Sequence, residues 1–266
     1  MRARHLKEWK GSGISYHRAR LLRGLMSTDD PFFDGAFPSG IEPLDALLGA
    51  LVPGRIHVIC GTTGTAKTIA ALQFVHAAVE ERSTALLLTQ DDAADIAALG
   101  RYLGLRLGDA VRGGQLTILR CRPDFARRYR QAAEPDVVFG ELRSLVGWKL
   151  PTRIAVDSVA PFLEVSPTSS APVAQLARWL ESTGATSLVT YPGDLARADD
   201  LRADALVQRA AAVVRFNAHS ERGRRMEALK TRFSGASRAP IEFRLEGGRG
   251  IVMGGEGLRL ATKASA

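Results

Sequence analysis

The apolar run Ile56-His57-Val58-Ile59-Cys60 ends in Gly61-Thr62-Thr63-Gly64-Thr65-Ala66-Lys67-Thr68, and a helical pattern starts directly after it. No other segment restricts the fold as much. A short β-branched run without polar alternation is the pattern of a strand buried on both faces, as in a parallel sheet. Leu72, Val75 and Val79 then recur at helical spacing over 69–81. A loop of the form G-x-x-x-x-G-K-[ST] between such elements is a phosphate loop. Its backbone N–H groups and the positive helix N-terminus hold phosphate oxygens, the lysine adds charge at the β and γ positions, and the last hydroxyl coordinates magnesium. Gly61, Thr62, Thr63, Gly64, Thr65, Ala66, Lys67 and Thr68 are the candidate nucleotide-binding residues, with Thr68 also a magnesium ligand. Ala66 departs from the motif by standing where its second glycine belongs. A methyl there either weakens phosphate binding or is tolerated in a residue that already has helical dihedrals.

The rest of the chain reads as alternating helices and short strands. After a loop-rich entry with a helical stretch over 41–51, strands are expected at 56–60, 85–89, 116–120, 153–156 and 187–190. Helices are expected at 69–81, 93–103, 127–148, 173–182 and 201–211, the third interrupted by Glu134-Pro135. The tail alternates as strands over 212–216, 226–230, 241–245 and 251–253, with glycine pairs at 247–248 and 254–255 for turns. This order predicts an α/β fold: a mostly parallel central sheet flanked by helices, with antiparallel C-terminal strands at one edge. The expected division is a basic leader over 1–29, one nucleotide-binding domain over 30–256 and a short tail over 257–266.

Phosphoryl-transfer sites need a carboxylate on the magnesium side and a group that orients water. Asp157 follows the buried run Arg153-Ile154-Ala155-Val156. Strand carboxyl ends line the ligand crevice of such sheets, so Asp157 is the candidate metal-side acid; a turn or N-cap aspartate is the plainer alternative. Asp91 and Asp92 also follow a strand directly, so one of them can polarise the attacking water, or both cap the next helix. Thr190 and Tyr191 end the fifth strand, where a polar group can sense the γ-phosphate; Tyr191 precedes Pro192, and a plain strand-ending turn is the equal alternative.

Composition excludes several classes. The chain has 266 residues, 45% of them hydrophobic and 24% charged, which is ordinary for one globular α/β domain. No apolar run is long enough to span a membrane. Cys60 and Cys121 form no C-x-x-C pair, and His5, His17, His57, His76 and His219 lack metal-ligand spacing. A reduced cytoplasmic protein is the plain reading. The net charge of +8 is mostly a leader effect, because Arg2, Arg4, Lys7, Lys10, Arg18, Arg20 and Arg23 against Glu8 give +6 and leave +2 for the rest. The leader reads as a flexible arm, a targeting segment, or sequence upstream of a start at Met26.

The motifs together resemble one family. Ser39-Gly40-Ile41-Glu42-Pro43-Leu44-Asp45-Ala46-Leu47-Leu48-Gly49 resembles the T-G-I-x-x-L-D-x-L-L-G lead-in of RecA-superfamily ATPases, nearest to the KaiC-like and RadA-like branch. Leu87-Leu88-Thr89-Gln90-Asp91-Asp92 resembles the segment with the family's catalytic glutamates. Ile154-Ala155-Val156-Asp157-Ser158 resembles its Walker B strand, and Leu229-Lys230-Thr231-Arg232 its L-K-x-R segment. The resemblance implies a RecA-like P-loop NTPase fold, with ATP and Mg2+ as ligands. It implies that Lys67, Asp91 and Asp92 serve catalysis and that Thr68 and Asp157 serve the metal. It also implies a homo-oligomeric ring or filament in which Lys230 and Arg232 reach a neighbour's nucleotide; a solvated strand face is the alternative for this pair. Ala66 for glycine and two aspartates for two glutamates point toward slow hydrolysis.

Three functions follow from this reading: an ATP-driven regulatory or assembly switch with slow turnover, a DNA recombination or repair accessory, and a non-hydrolysing scaffold that acts through a protein partner. The loops after the fourth and fifth strands argue against DNA. Residues 166–172 carry no basic side chain, and 193–204 set Arg197 and Arg202 against Asp194, Asp199, Asp200 and Asp204. Arg120, Arg122, Arg127, Arg128 and Arg130 against Asp124 keep DNA in view.

Overall fold

The computed structural model describes residues 7–8, 14–17, 37–132, 138–140, 142, 144, 151–166, 168–195, 201–219, 223–232 and 239–254. Within the N-terminal 29 residues two short strands are described, β1 (Lys7–Glu8) and β2 (Ile14–His17). The body then runs α1 (Glu42–Leu48), β3 (Ile56–Cys60), α2 (Lys67–Glu80), β4 (Ala85–Thr89), α3 (Ala93–Tyr102), α4 (Leu107–Gly113) and β5 (Leu116–Cys121). It continues through α5 (Phe125–Gln131), β6 (Arg153–Asp157), α6 (Ala160–Val165), α7 (Ala171–Thr183), β7 (Thr186–Tyr191) and α8 (Leu201–Arg209). It closes with β8 (Ala212–His219), β9 (Gly223–Thr231), β10 (Ile241–Glu246) and β11 (Gly250–Met253).

All strands form one sheet in the order β1-β2-β5-β4-β6-β7-β3-β8-β9-β10-β11. From β5 to β8 the neighbours are parallel, and β9, β10 and β11 add antiparallel at the far edge. β2 pairs antiparallel with β5 at the other edge. The expected parallel sheet with an antiparallel extension is therefore present.

The central strands are buried along their length, and mostly apolar, because both of their faces are covered. Val58, Leu86, Leu88, Ile154, Val156 and Val189 pack on one side with α5, α6, α7 and α8. Ile59, Leu87, Ala155, Leu188 and Val214 point to the other side, toward α1, α2, α3 and α4. This alternation explains why sequence periodicity marked the strands as buried but could not assign their faces. On the second side α2 is enclosed nearly all round, with Ala70 to Ala78 buried. Arg153, fully buried at the start of β6, lies over the rings of Phe37 and Phe74 and pairs with Glu81, so it joins the entry segment to α2.

Two short helices, α4 and α6, have no counterpart in the sequence expectation, because six or seven residues are too few to show a helical period. The helix expected over 127–148 is realised as Phe125–Gln131; residues 138–140 are also helical, and 133–137, 141, 143 and 145–150 lie outside the described residues. No described helix is long and apolar enough to cross a membrane.

His57 on β3 is 3% exposed, and its Nε2 accepts the Val52 N–H at 3.0 Å. Burial, only partly offset by backbone hydrogen bonds, pushes its pKa down from 6.5 to about 4. The folded chain thus holds a neutral imidazole that the unfolded chain protonates below pH 6.5. Its contribution to stability is complete above pH 6.5 and falls as the pH drops toward 4. The loss is on the order of 3 kcal/mol across that window. In urea unfolding at pH 7 and pH 4.5, His57→Gln, which keeps an acceptor for Val52, should lose less stability than the wild type by about 2–3 kcal/mol. Equal losses in both proteins would remove His57 as a source of acid sensitivity.

Candidate nucleotide site

Strand β3 leaves the sheet between β7 and β8, and the loop after it has little room. Gly61 has φ +149°, and a Cβ on it would lie 2.3 Å from the Phe216 carbonyl oxygen and 2.9 Å from Thr65 Oγ1. Only glycine fits. The Gly61 N–H donates to the Gly193 carbonyl at 2.8 Å, which ties the loop to the segment after β7. Thr65 Oγ1 donates to the Thr62 carbonyl at 2.8 Å. Lys67 Nζ donates to the carbonyls of Gly61 and Thr62 at 2.7 Å each, so the loop is wound around the ammonium. Burial lowers the Lys67 pKa, while Asp157 and Cys60 act to raise it.

Ala66 is the N-cap of α2 with φ 78° and ψ 21°. The residue is left-handed, not helical, so the conformation that would have made alanine free of cost is not the one found. For an L-residue this conformation costs roughly 1–2 kcal/mol. The methyl packs against the apolar layer that contains α2, which returns part of that cost. Its side chain makes no capping bond, so the first-turn N–H groups of α2 point into the loop with no helical acceptor.

Four adjacent strands, β4, β6, β7 and β3, present their carboxyl ends to this loop. Asp157, 9% exposed at the end of β6, accepts a hydrogen bond from Thr190 Oγ1 at 2.6 Å and another from the Thr68 hydroxyl. Burial raises its pKa against these hydrogen bonds; Asp91 adds to the rise and Lys67 opposes it. Thr63, Gly64, Thr65, Ala66, Lys67 and Thr68 line a cleft of about 390 Å³ together with Gln90, Asp91, Asp157, Ser158 and Thr190. Thr62 is not on the cleft wall; its carbonyl faces Lys67. Tyr191 is 5% exposed and packs in the core, so of the pair ending β7 only Thr190 faces the cleft.

The two aspartates after β4 are separated by the structure. Asp91 lines the cleft, and its N–H donates to Thr89 Oγ1 at 3.1 Å. Asp92 is the N-cap of α3, makes an ion pair with Arg120 and does not line the cleft. Lys230 and Arg232 are also away from the cleft of their own chain. Lys230 Nζ donates to the carbonyls of Val207 and Gln208, the latter at 3.2 Å, at the C-terminal end of α8. Arg232 is exposed.

Sequence reasoning missed residues that reach the site from distant strands. Arg224 on β9 points its Nε at the Gly64 carbonyl, 3.4 Å away, and Leu245 on β10 forms part of the cleft wall. Nothing in their local sequence signals this, because the contact is made by the return of the antiparallel strands. Gln90 was legible only as a neighbour of Asp91.

These residues suit a polyphosphate with a divalent cation. Left-handed backbone, free helix N–H groups and one ammonium surround the anion position, and a buried carboxylate beside a hydroxyl stands where a hard cation takes oxygen ligands. Comparison with known proteins agrees with this chemistry. No curated protein matches the chain. The family model described as "ATPase: KaiC" matches residues 37–257, which covers the lead-in, the loop, the three carboxylates and all of β3 to β11. The fold is RecA-like, and the chain belongs to the KaiC ATPase family.

Proposed function

We propose that this chain binds ATP with magnesium in the cleft at the end of β3, hydrolyses it slowly, and uses the bound state to control its own assembly. The observation that supports this best is the convergence of Lys67, Thr68, Asp157 and Asp91 on one cleft at the carboxyl ends of the parallel strands β3, β6 and β4. Lys67 and the first-turn N–H groups of α2 hold the phosphates. Thr68 and Asp157 hold the cation, and Thr190 orients Asp157 through its hydroxyl. Magnesium bound there would neutralise charge on the β and γ oxygens. Asp91 accepts a hydrogen bond from the attacking water. Aspartate is one methylene shorter than glutamate, and one carboxylate of the Asp91–Asp92 pair is held by Arg120, so slow turnover is expected. A nucleotide that is held longer than it is cleaved suits a switch.

The assembly is a ring or filament with nucleotide at subunit contacts, and Arg232 is the cation placed for a neighbour's phosphates. Lys230 acts instead within its own subunit, at the end of α8. Buried unpaired thiols at Cys60 and Cys121 suit the cytoplasm.

A second reading, a DNA-associated ATPase, is favoured by one observation. Arg122, Arg127 and Arg128 all pair with the single carboxylate of Asp124, which leaves a positive excess beside α5. The loop expected to touch DNA after β7 lies in part, over 196–200, outside the described residues.

Purified chain should bind Mg·ATP at about micromolar concentration. Lys67→Ala should weaken that binding by roughly tenfold to a hundredfold, the worth of a charge-assisted hydrogen bond, as read by calorimetry. Equal binding by both proteins would place the nucleotide elsewhere. Tight binding without turnover would make the chain a scaffold that acts through a protein partner.

Ala66→Gly should raise stability by about 1 kcal/mol by removing left-handed strain. The melting temperature should rise about 2–4 °C. Affinity for Mg·ATP should not fall. A lower melting temperature would mean that the methyl's packing outweighs its strain.

Fluorescence anisotropy with single- and double-stranded oligonucleotides tests the DNA reading. It expects binding at low salt that weakens steeply as salt rises and is lost in Arg127→Glu/Arg128→Glu. Absence of binding at about 50 mM salt removes this reading.

A further inference from the structure

We propose that Arg120 is the positioning residue of this site, holding the turn after β4 so that Asp91, and not Asp92, faces the cleft. This rests on the reading of Asp91 as the group that orients water. β4 and β5 are parallel neighbours with Thr89 opposite Arg120, so the arginine emerges level with the last residue of β4. Arg120 Nε donates to the Gln90 carbonyl at 3.1 Å, and Nη1 pairs with the Asp92 carboxylate. One rigid guanidinium therefore holds the residue before Asp91 and the residue after it. From inside the turn, Thr89 Oγ1 takes the Asp91 N–H at 3.1 Å. Asp91 is thereby fixed on both sides while it lines the cleft, close enough to Asp157 for their charges to interact.

The arrangement decides between two residues that the sequence leaves equivalent. If the turn rotated, Asp92 would enter the cleft and Asp91 would leave it. Arg120 prevents this by binding the carboxylate of one and the preceding carbonyl of the other. Lysine cannot reproduce it fully, because its ammonium is a point charge and not a planar fork. Arg120 is not itself on the cleft wall: it lies on β5, beyond the line of strands that form the site, and meets the wall only through the Gln90 backbone carbonyl.

The test compares Arg120→Ala, Arg120→Lys and, as an exposed-arginine control given no part in either reading, Arg112→Ala. In Mg·ATP hydrolysis by the full chain, Arg120→Ala should lower kcat about tenfold with KM within about twofold, because misplacement of a reacting group costs rate more than binding. Arg120→Lys should recover part of the loss, and Arg112→Ala should match the wild type. A damaged fold would move KM as well, and Lys would not rescue it. Unchanged kcat in Arg120→Ala overturns the proposal. If the wild type binds Mg·ATP without turnover, the reading of Asp91 fails by itself. Amide exchange of Asp91 and Asp92 then decides the position of Arg120: faster exchange in Arg120→Ala, with the β4 amides still protected, supports the hold, and unchanged exchange overturns it.

Discussion

The end of β3 must escape from between two other strands, and the rest of the site depends on how it does so. β7 and β8 flank β3 in parallel, so the chain cannot turn sideways without meeting backbone. Gly61 makes the exit possible because its missing Cβ is the space in which the Phe216 carbonyl lies. Once the chain is out, its N–H is fixed by Gly193 and its carbonyl by Lys67. The lysine is thus drawn into the loop by the same carbonyls that the tight exit turns inward. A parallel sheet with both faces covered therefore does more than supply a core. It constrains one loop closely enough for its backbone N–H groups to be aimed before any ligand arrives.

Electrostatics then sorts the carboxylates. Burial alone would make Asp157 a poor anion, and the hydroxyls of Thr190 and Thr68 oppose that tendency without adding charge. A nearby cation would complete the compensation, which is why a buried acid with hydroxyl partners suits a metal better than an ion pair does. Asp91 raises the cost further by sitting close to Asp157, so the cleft holds more negative charge than Lys67 balances. Asp92 does not add to that imbalance, because Arg120 takes it outward. The positive charges of β9 are distributed in the same way. Arg224 turns to the Gly64 carbonyl and Lys230 to the end of α8, six residues apart on one strand with opposite duties.

Most of the fold was legible because its first strands, β3 and β4, are short apolar runs and its longer helices carry a period. β3, β4 and β10 differ from expectation by no more than a residue, since Gly61, Gln90 and Gly247 end them chemically. The loop and the three carboxylates were legible for the same reason: each lies at, or within three residues of, the end of a short buried strand. Direction was not legible. Asp91 and Asp92 have the same chemistry and position in sequence, and what separates them is an arginine 28 residues away. Leu245 and Arg224 were invisible because strand pairing over long separations brings them in. α4 and α6 were too short for periodicity to register.

Ala66 shows how a motif position can be conceded without losing the geometry that the motif encodes. The motif asks for glycine because the backbone there is left-handed, and this chain keeps the left-handed dihedrals with alanine. The strain is borne locally, because the residue on either side is committed elsewhere. Thr65 is bonded back to Thr62, and Lys67 starts a helix whose next residues are fixed in the core. Relaxing Ala66 to right-handed dihedrals would swing the loop away from α2 and break both commitments. The residue is partly buried against the apolar layer around α2 while it also lines the cleft. The substitution therefore taxes stability, while the phosphate-facing surface of the loop, made of backbone, stays in place.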